Sequence, residues 1–226
     1  MTYPGLAARV SEVRARIAER QAARGWTHDV AIIAVTKGHP VEAVRAAIAI
    51  GLTAVGENRV QEALAKQEAL GNAPAEWHLI GSLQKNKARH AVNRFALIHS
   101  IDRHDLAAEL DRRASATQDV LVQVNCSAEP QKGGVEPDGL LDLLDQVAIL
   151  PRIRVRGLMT MAEFTDDAAV QRRTFAQLRS LRDDAVSRGH LLPELSMGMS
   201  GDYLVAVEEG ATMVRLGTIL FGERGR

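Results

Sequence analysis

Apolar positions along the chain follow two alternating spacings. Runs rich in Val, Ile and Leu read as strands, and the segments between them repeat their apolar residues every three to four positions, as one face of a helix does. The opening segment places Leu6, Val10, Val13 and Ile17 at such steps and stops at Gly25, a residue suited to the position just past a helix. Eight strands are predicted after it: Val30 to Thr36, Thr53 to Val55, Glu76 to Ile80, Leu97 to Ser100, Val120 to Asn125, Arg154 to Met159, Glu194 to Met197 and Thr212 to Leu216. Helices are predicted around 41–50, 58–70, 84–94, 103–116, 138–149, 167–188 and 202–209, with Pro137 in a first turn and Gly189 at a C-terminal cap.

From the first strand to the eighth the repeat averages about 26 residues, which a strand of ~5, a helix of ~11 and two short loops account for. Eight such units predict an α/β fold, a single (β/α)8 TIM barrel spanning residues 1–226, the opening helix standing in for the one missing after strand eight. An open doubly wound sheet is the alternative. No G-x-G-x-x-G follows the first strand, which argues against it. In either fold the chemistry belongs beyond the carboxyl ends of the strands.

Composition narrows the partners. The 226 residues carry 28 Lys and Arg against 28 Asp and Glu, so no bulk charge draws the chain to nucleic acid or an anionic membrane. The longest uncharged stretch, Ala46 to Gly56, is 11 residues, short of the ~20 that a membrane-spanning helix needs. Met1 to Arg9 lacks an apolar signal-peptide region, so a cytoplasmic location is expected. The single cysteine, Cys126, has no partner for a disulfide or a zinc cluster and reads as a small buried thiol.

Three strand ends carry candidate chemistry. The first ends Ala34-Val35-Thr36-Lys37, and an ammonium leaving so apolar a run loses hydration, which favours a neutral amine able to attack an aldehyde. Lys37 is therefore a candidate Schiff-base lysine; a strand-end lysine reaching out to water is the other reading. The turns Ser196-Met197-Gly198-Met199-Ser200-Gly201 and Leu216-Gly217-Thr218 suit an anion, since barrels often bind phosphate after strands seven and eight, although capping and chain reversal explain the same residues. Arg215 alternates with Val214 and Leu216 and is placed facing the barrel interior, as a donor or as half of an ion pair. Met159, Met161, Met197, Met199 and Met213 all fall on or just after strands six to eight, where they suit a ring-shaped ligand or irregular core filling. His78 and His99 are expected to make polar contacts rather than bind a metal. Lys85, Lys87, Arg89, His90 and Arg94 are expected to form a solvated helix face.

Taken together the motifs resemble those of the pyridoxal phosphate homeostasis proteins. Val35-Thr36-Lys37, Gly56-Glu57-Asn58-Arg59-Val60-Gln61-Glu62, Trp77-His78-Leu79-Ile80-Gly81-Ser82-Leu83-Gln84-Lys85-Asn86-Lys87, His99-Ser100-Ile101-Asp102 and Val122-Gln123-Val124-Asn125 carry the likeness. Lys132-Gly133-Gly134, Arg156-Gly157-Leu158-Met159, Leu195-Ser196-Met197-Gly198-Met199-Ser200 and Val214-Arg215-Leu216-Gly217-Thr218 continue it, in family order from about Ile33 to Gly222. The family resembles the barrel domain of alanine racemase standing alone. The resemblance implies that Lys37 carries pyridoxal 5′-phosphate as an internal aldimine, that Ser200, Gly217 and Thr218 hold its phosphate, that Arg215 faces the pyridine nitrogen, and that Asn58 and Met199 line the pocket. Gly38-His39 departs from the polar pair found after the lysine in many relatives, so no role for a second lysine at the mouth carries over.

An arginine at the pyridine nitrogen is always protonated, which leaves the ring neutral and a poor sink for carbanion charge. Racemisation also needs a base on the opposite face, a tyrosine from a partner subunit in the related racemases, and the tyrosines here are Tyr3 and Tyr203. The expectation is a cytoplasmic, monomeric carrier that buffers the cofactor and delivers it to pyridoxal-dependent apoenzymes, with no metal and no robust catalysis. A cryptic amino-acid racemase, a Schiff-base aldolase and an interaction protein with pyridoxal phosphate as regulatory ligand are the alternatives.

Overall fold

A computed structural model describes residues 3–127, 129 and 132–223. Eight parallel strands close into a barrel in sequence order: β1 Ala31–Val35, β2 Ala54–Glu57, β3 Glu76–Leu79, β4 Leu97–Ile101, β5 Gln118–Gln123, β6 Ile153–Met159, β7 Glu194–Met199 and β8 Met213–Leu216. The helices are α1 Leu6–Arg24, α2 Val41–Ala49, α3 Val60–Leu70, α4 Ala88–Ala91, α5 His104–Arg113, α6 Leu140–Ala148, α7 Ala168–Ser187, α8 Tyr203–Glu208 and α9 Thr218–Phe221. The expected (β/α)8 architecture is the one observed, with all eight strands within a few residues of their predicted bounds.

Two apolar layers hold it together. The larger lies between strands and helices and takes the outward-facing residues Ile32, Ala34, Val214 and Leu216 along with the buried stripe Leu6, Val10, Val13 and Ile17 of α1. Each such side chain taken out of water contributes roughly 1.5–3 kcal/mol of transfer free energy. The smaller layer fills the barrel, where Leu97, Leu121 and Met159 pack with Met161 and Met213. Of the five clustered methionines, three thus fill the interior, whereas Met197 belongs to the outer layer. α1 packs on α8 and α9. The position after β8, read from the sequence as lacking a helix, is filled by the single turn α9.

One predicted element is shorter than expected. The helix placed at 84–94 is a 3-10 turn at Lys85–Lys87 and one α-turn, α4. Asn93 ends it by taking a left-handed conformation, φ 55°, which asparagine tolerates better than most residues. Its side chain then holds the next connection, Oδ1 accepting the N–H of Ser115 at 2.8 Å. Lys85 pairs with Asp105 at 3.2 Å on this exposed face, and no helix among the described residues is long and apolar enough to cross a membrane.

The strand pairing contains irregularities that the alternating pattern alone does not reveal. Between β5 and β6, Val120 faces Val155 but Leu121 faces Gly157, so Arg156 is an extra residue. Such a bulge bends the strand and re-aims the residues beyond it. Gly157 lies against β7 so closely that a Cβ there would stand 1.9 Å from the Glu194 carbonyl oxygen. Gly157→Ala is expected to force β6 from β7 at a cost of about 3 kcal/mol or more, read as a lowered urea midpoint; a midpoint within error of wild type would contradict this packing.

Candidate functional site

Closure of the barrel through β8 and β1 sets the site. Ile33 pairs with Arg215 and Ala34 with Leu216, and Val35 pairs with Gly56 on β2. Met199 pairs with Arg215 on the other side. The carboxyl ends of β7, β8, β1 and β2 therefore form one arc. It gathers Met199 and Ser200, then Arg215, Gly217 and Thr218, then Lys37, then Asn58. Lys37 is half-buried in the turn after β1, Asn58 is half-buried after β2, and Thr218 is exposed at the start of α9.

Ser200 reaches its place through a second bulge. Ser196 faces Met213 but Met199 faces Arg215, leaving one extra residue in β7. Gly198 turns there with φ +92°, and a Cβ on it would meet Ala206 Cβ at 2.6 Å. The Ser200 hydroxyl oxygen then accepts the N–H groups of Gly217 and Ile219, both at 3.3 Å. A hydroxyl oxygen receiving two backbone donors from the neighbouring turn occupies the type of place a phosphate oxygen takes. Asp202 supports the turn by accepting the Met199 N–H, and burial raises its carboxyl above the ordinary range.

Arg215 points into the barrel, as its alternation predicts, and is 4% exposed. Among the described residues it is not half of an ion pair: its Nη1 donates to Ser196 Oγ at 2.7 Å and its Nη2 to the Thr160 carbonyl at 2.9 Å. Burial lowers it to about 10, with Asp202 opposing the shift, so it stays protonated at neutral pH. Guanidinium donors not used by these two bonds suit an acceptor such as a ring nitrogen.

A hydrogen-bonded string continues from this arginine through the interior. Ser196 Oγ lies 2.9 Å from His99 Nδ1, and His99 Nε2 lies 2.9 Å from His78 Nδ1. Arg215 takes one lone pair of Ser196 Oγ, and His99 Nδ1 is the acceptor within reach of the serine proton among the described residues; accepting there, His99 carries its own proton on Nε2, facing His78 Nδ1. His78 Nε2 ends the string 3.6 Å from Glu76 Oε1, with no hydrogen-bond partner among the described residues. The histidines thus make polar contacts as expected, and no group of His, Cys, Asp and Glu among the described residues has the geometry of a metal site. Burial, His78 and Arg215 together push His99 well below its ordinary value.

Behind the sheet lies an ionic cluster that sequence reading passed over. Lys66 on α3 is 7% exposed and continues Val60 and Ala63 at three-residue steps on the buried stripe of the helix. That spacing, with Glu62 four residues before it, is the available signal. Lys66 Nζ donates to Glu57 Oε1 at 2.6 Å and Glu62 Oε1 at 2.9 Å. Burial raises the Glu57 carboxyl despite bonds from Lys66 and Thr36. In Glu62 burial is outweighed by the bonds from Lys66 and the Gly38 N–H, which hold it low. Cys126 is buried, and burial pushes its thiol up to about 11, so it is no nucleophile at neutral pH.

This geometry defines a class: a (β/α)8 barrel with an amine at the end of its first strand and a serine hydroxyl that receives two backbone N–H groups of its last turn. A family model for the alanine racemase N-terminal domain matches residues 10–225. The chain is 45% identical over 221 residues to the pyridoxal phosphate homeostasis protein of Aquifex aeolicus, covering 96% of this chain and 97% of that protein. It is 44% identical over 223 residues to that of Pseudomonas aeruginosa, with 97% and 96% covered. The chain belongs to the pyridoxal phosphate homeostasis proteins, within the alanine racemase N-terminal domain family. Among solved structures, PipY of Synechococcus elongatus with pyridoxal phosphate bound superposes with TM-score 0.81 at 43% identity, over 91% of this chain and all of that one. Alanine racemase of Corynebacterium glutamicum shares the fold, TM-score 0.76 at 19% identity over 97% of this chain and 61% of its own.

The neutral buried His99 has a consequence for acid stability. Unfolded, it would titrate near 6.5; folded, it resists protonation. Its contribution is complete above that pH and is lost as pH falls below it, by up to ~1.4 kcal/mol per pH unit. His99→Gln should flatten the fall in melting temperature between pH 6.5 and pH 5 relative to wild type; parallel curves would show that His99 does not titrate this way.

Proposed function

We propose that this chain is a pyridoxal 5′-phosphate carrier that takes the cofactor covalently on Lys37, buffers it and passes it to apoenzymes in the cytoplasm as a monomer. The observation carrying the reading is the arc of β7, β8, β1 and β2, which brings together a strand-end amine, a buried arginine with no carboxylate partner among the described residues and a hydroxyl already receiving two backbone donors. The names of the relatives and the cofactor held by PipY support the same cofactor here.

The residues fit that group. Ser200, Gly217 and Thr218 would hold the phosphate, and a Cβ on Gly217 would come within 3.3 Å of the Val35 carbonyl, which keeps the turn close to β1. Arg215 would donate to the ring nitrogen, and Asn58 and Met199 would line the ring's surroundings. Pyridoxal phosphate supplies an aldehyde that a primary amine can bind and a second amine can remove. Lys37 would bind it through a C=N bond, the carbonyl oxygen leaving as water with both amine hydrogens. Arg215 keeps its own proton and leaves the ring nitrogen as acceptor, which disfavours carbanion chemistry.

The tyrosines support a carrier rather than a racemase. Tyr203 is buried in the outer layer with its hydroxyl unpartnered among the described residues. Tyr3 packs edge-on to His39 and Phe221, its hydroxyl 3.4 Å from His39 Nδ1, and burial with Glu42 raises it above its ordinary value. Neither is poised to ionise as a base.

Borohydride reduction of the loaded protein followed by peptide mass spectrometry is expected to find the cofactor mass on Lys37, and Lys37→Ala should lose both the adduct and the yellow absorption. An adduct on another lysine would overturn the reading. Hydrogen exchange at amino-acid α-carbons at ~1 per second or faster would favour the racemase instead.

A further inference from the structure

The turn that presents Lys37 is held on both sides by one ammonium. Lys66 Nζ donates to the carbonyl of Thr36, the residue before Lys37, at 2.8 Å. It also donates to Glu62 Oε1 at 2.9 Å, and the same oxygen accepts the N–H of Gly38, the residue after Lys37, at 2.7 Å. The third acceptor of Lys66 is Glu57 Oε1, to which Thr36 Oγ1 also donates, at 2.5 Å. The turn also carries a backbone bond from the His39 N–H to the Thr36 carbonyl at 3.0 Å, and between them Gly38 is exposed, with φ +72°.

We infer that Lys66, acting with Glu62, is the positioning residue for Lys37. It clamps the two peptide groups that flank the lysine and so fixes the direction in which the amine enters the barrel mouth. This rests on the reading of Lys37 as the cofactor lysine and adds to it a division of labour between two lysines. The three protons of the Lys66 ammonium meet three acceptors, which leaves it no lone pair for an aldehyde. Lys37 brings the lone pair: its nitrogen attacks the aldehyde carbon, the C=N bond forms, and the oxygen departs as water carrying both amine hydrogens. That bond needs the nitrogen within a narrow range of approach, and an unheld turn lets the long side chain wander from it.

The clamp acts on covalent capture alone, because none of its members belongs to the phosphate cradle or the ring contacts. Pyridoxine 5′-phosphate, which carries the same ring and phosphate but an alcohol in place of the aldehyde, separates the two. Spectral and calorimetric titrations of the full chain with both ligands form the test, using Lys66→Met, Glu62→Leu and Glu62→Gln. Lys66→Met and Glu62→Leu are expected to weaken pyridoxal phosphate binding by about tenfold or more while binding pyridoxine 5′-phosphate as wild type does. Glu62→Gln retains the acceptor for Gly38 and is expected to recover much of the loss. Glu62 is partly exposed, with 28% of its side chain accessible, so its variants keep the test open should Lys66→Met fail to fold.

Equal loss for both ligands would make the cluster merely structural and overturn the inference; so would wild-type binding of pyridoxal phosphate by folded variants. Reduction and mass mapping of wild type is run alongside. An adduct away from Lys37 removes the functional reading and this inference with it, whereas an adduct on Lys37 with unaffected variants removes the inference alone.

Discussion

Pairing of β8 with β1 is the constraint on which the site depends. It joins Ala31 to Met213 and Ala34 to Leu216, residues from opposite ends of the chain. Loop closure over such a separation costs entropy that grows only slowly with length, and the continuous outer apolar layer offsets it. Once the ring is shut, no sheet edge remains to pair with another chain. The lysine after the first strand and the turn after the last then become neighbours. Both halves of the proposed site therefore depend on the same inter-strand hydrogen bonds.

A buried guanidinium imposes the second constraint. Removing Arg215 from water is costly, and no carboxylate among the described residues lies within ion-pair distance to compensate. Alongside the apolar layer of Leu97, Leu121 and Met159, the interior answers with a serine hydroxyl and a backbone carbonyl, and two histidines continue from the serine. Because the arginine can only give protons, each later member of the string has its proton position decided in turn. Burial first, then His78 and the Arg215 charge, keep His99 neutral, and the string lets a charged residue stand in the interior without a counter-ion to compete for its remaining donors.

Much of this was legible from residue pattern. Eight apolar runs at a steady repeat implied the barrel, and the alternation of Arg215 with Val214 and Leu216 gave the side on which it points. What the pattern missed depends on contacts between distant segments. The bulges at Arg156 and near Gly198 arise from how β6 and β7 register with their neighbours, which a strand's own sequence does not encode. The helix expected at 84–94 was cut short by Asn93, whose side chain has better partners in the connection to β5. Lys66 carried a readable sign in its place on a buried helical stripe. The sign lacked meaning without Glu57, whose outward orientation follows only from strand alternation in the closed barrel. The motif match supplied the cofactor that no single one of these patterns names.

The two sides of the sheet divide the work of holding a reactive aldehyde. In the proposed carrier the turns after β7 and β8 would meet the phosphate and inward-facing Arg215 the ring, while outward-facing Glu57 and the helix-borne Lys66 and Glu62 would steady the amine from behind. Strand alternation makes this possible, since Glu57 shares the outward side of β2 with Val55, two residues before it. The charged cluster is thereby kept out of the pocket, where a second amine would compete for the aldehyde and a carboxylate would compete for Arg215. A carrier must grip its cofactor strongly enough to shield it and release it to a stronger acceptor. On the proposed reading the hold on the Lys37 turn lies behind the sheet and Arg215 lies inside it, so the two demands would fall on residues with no bond between them among the described residues.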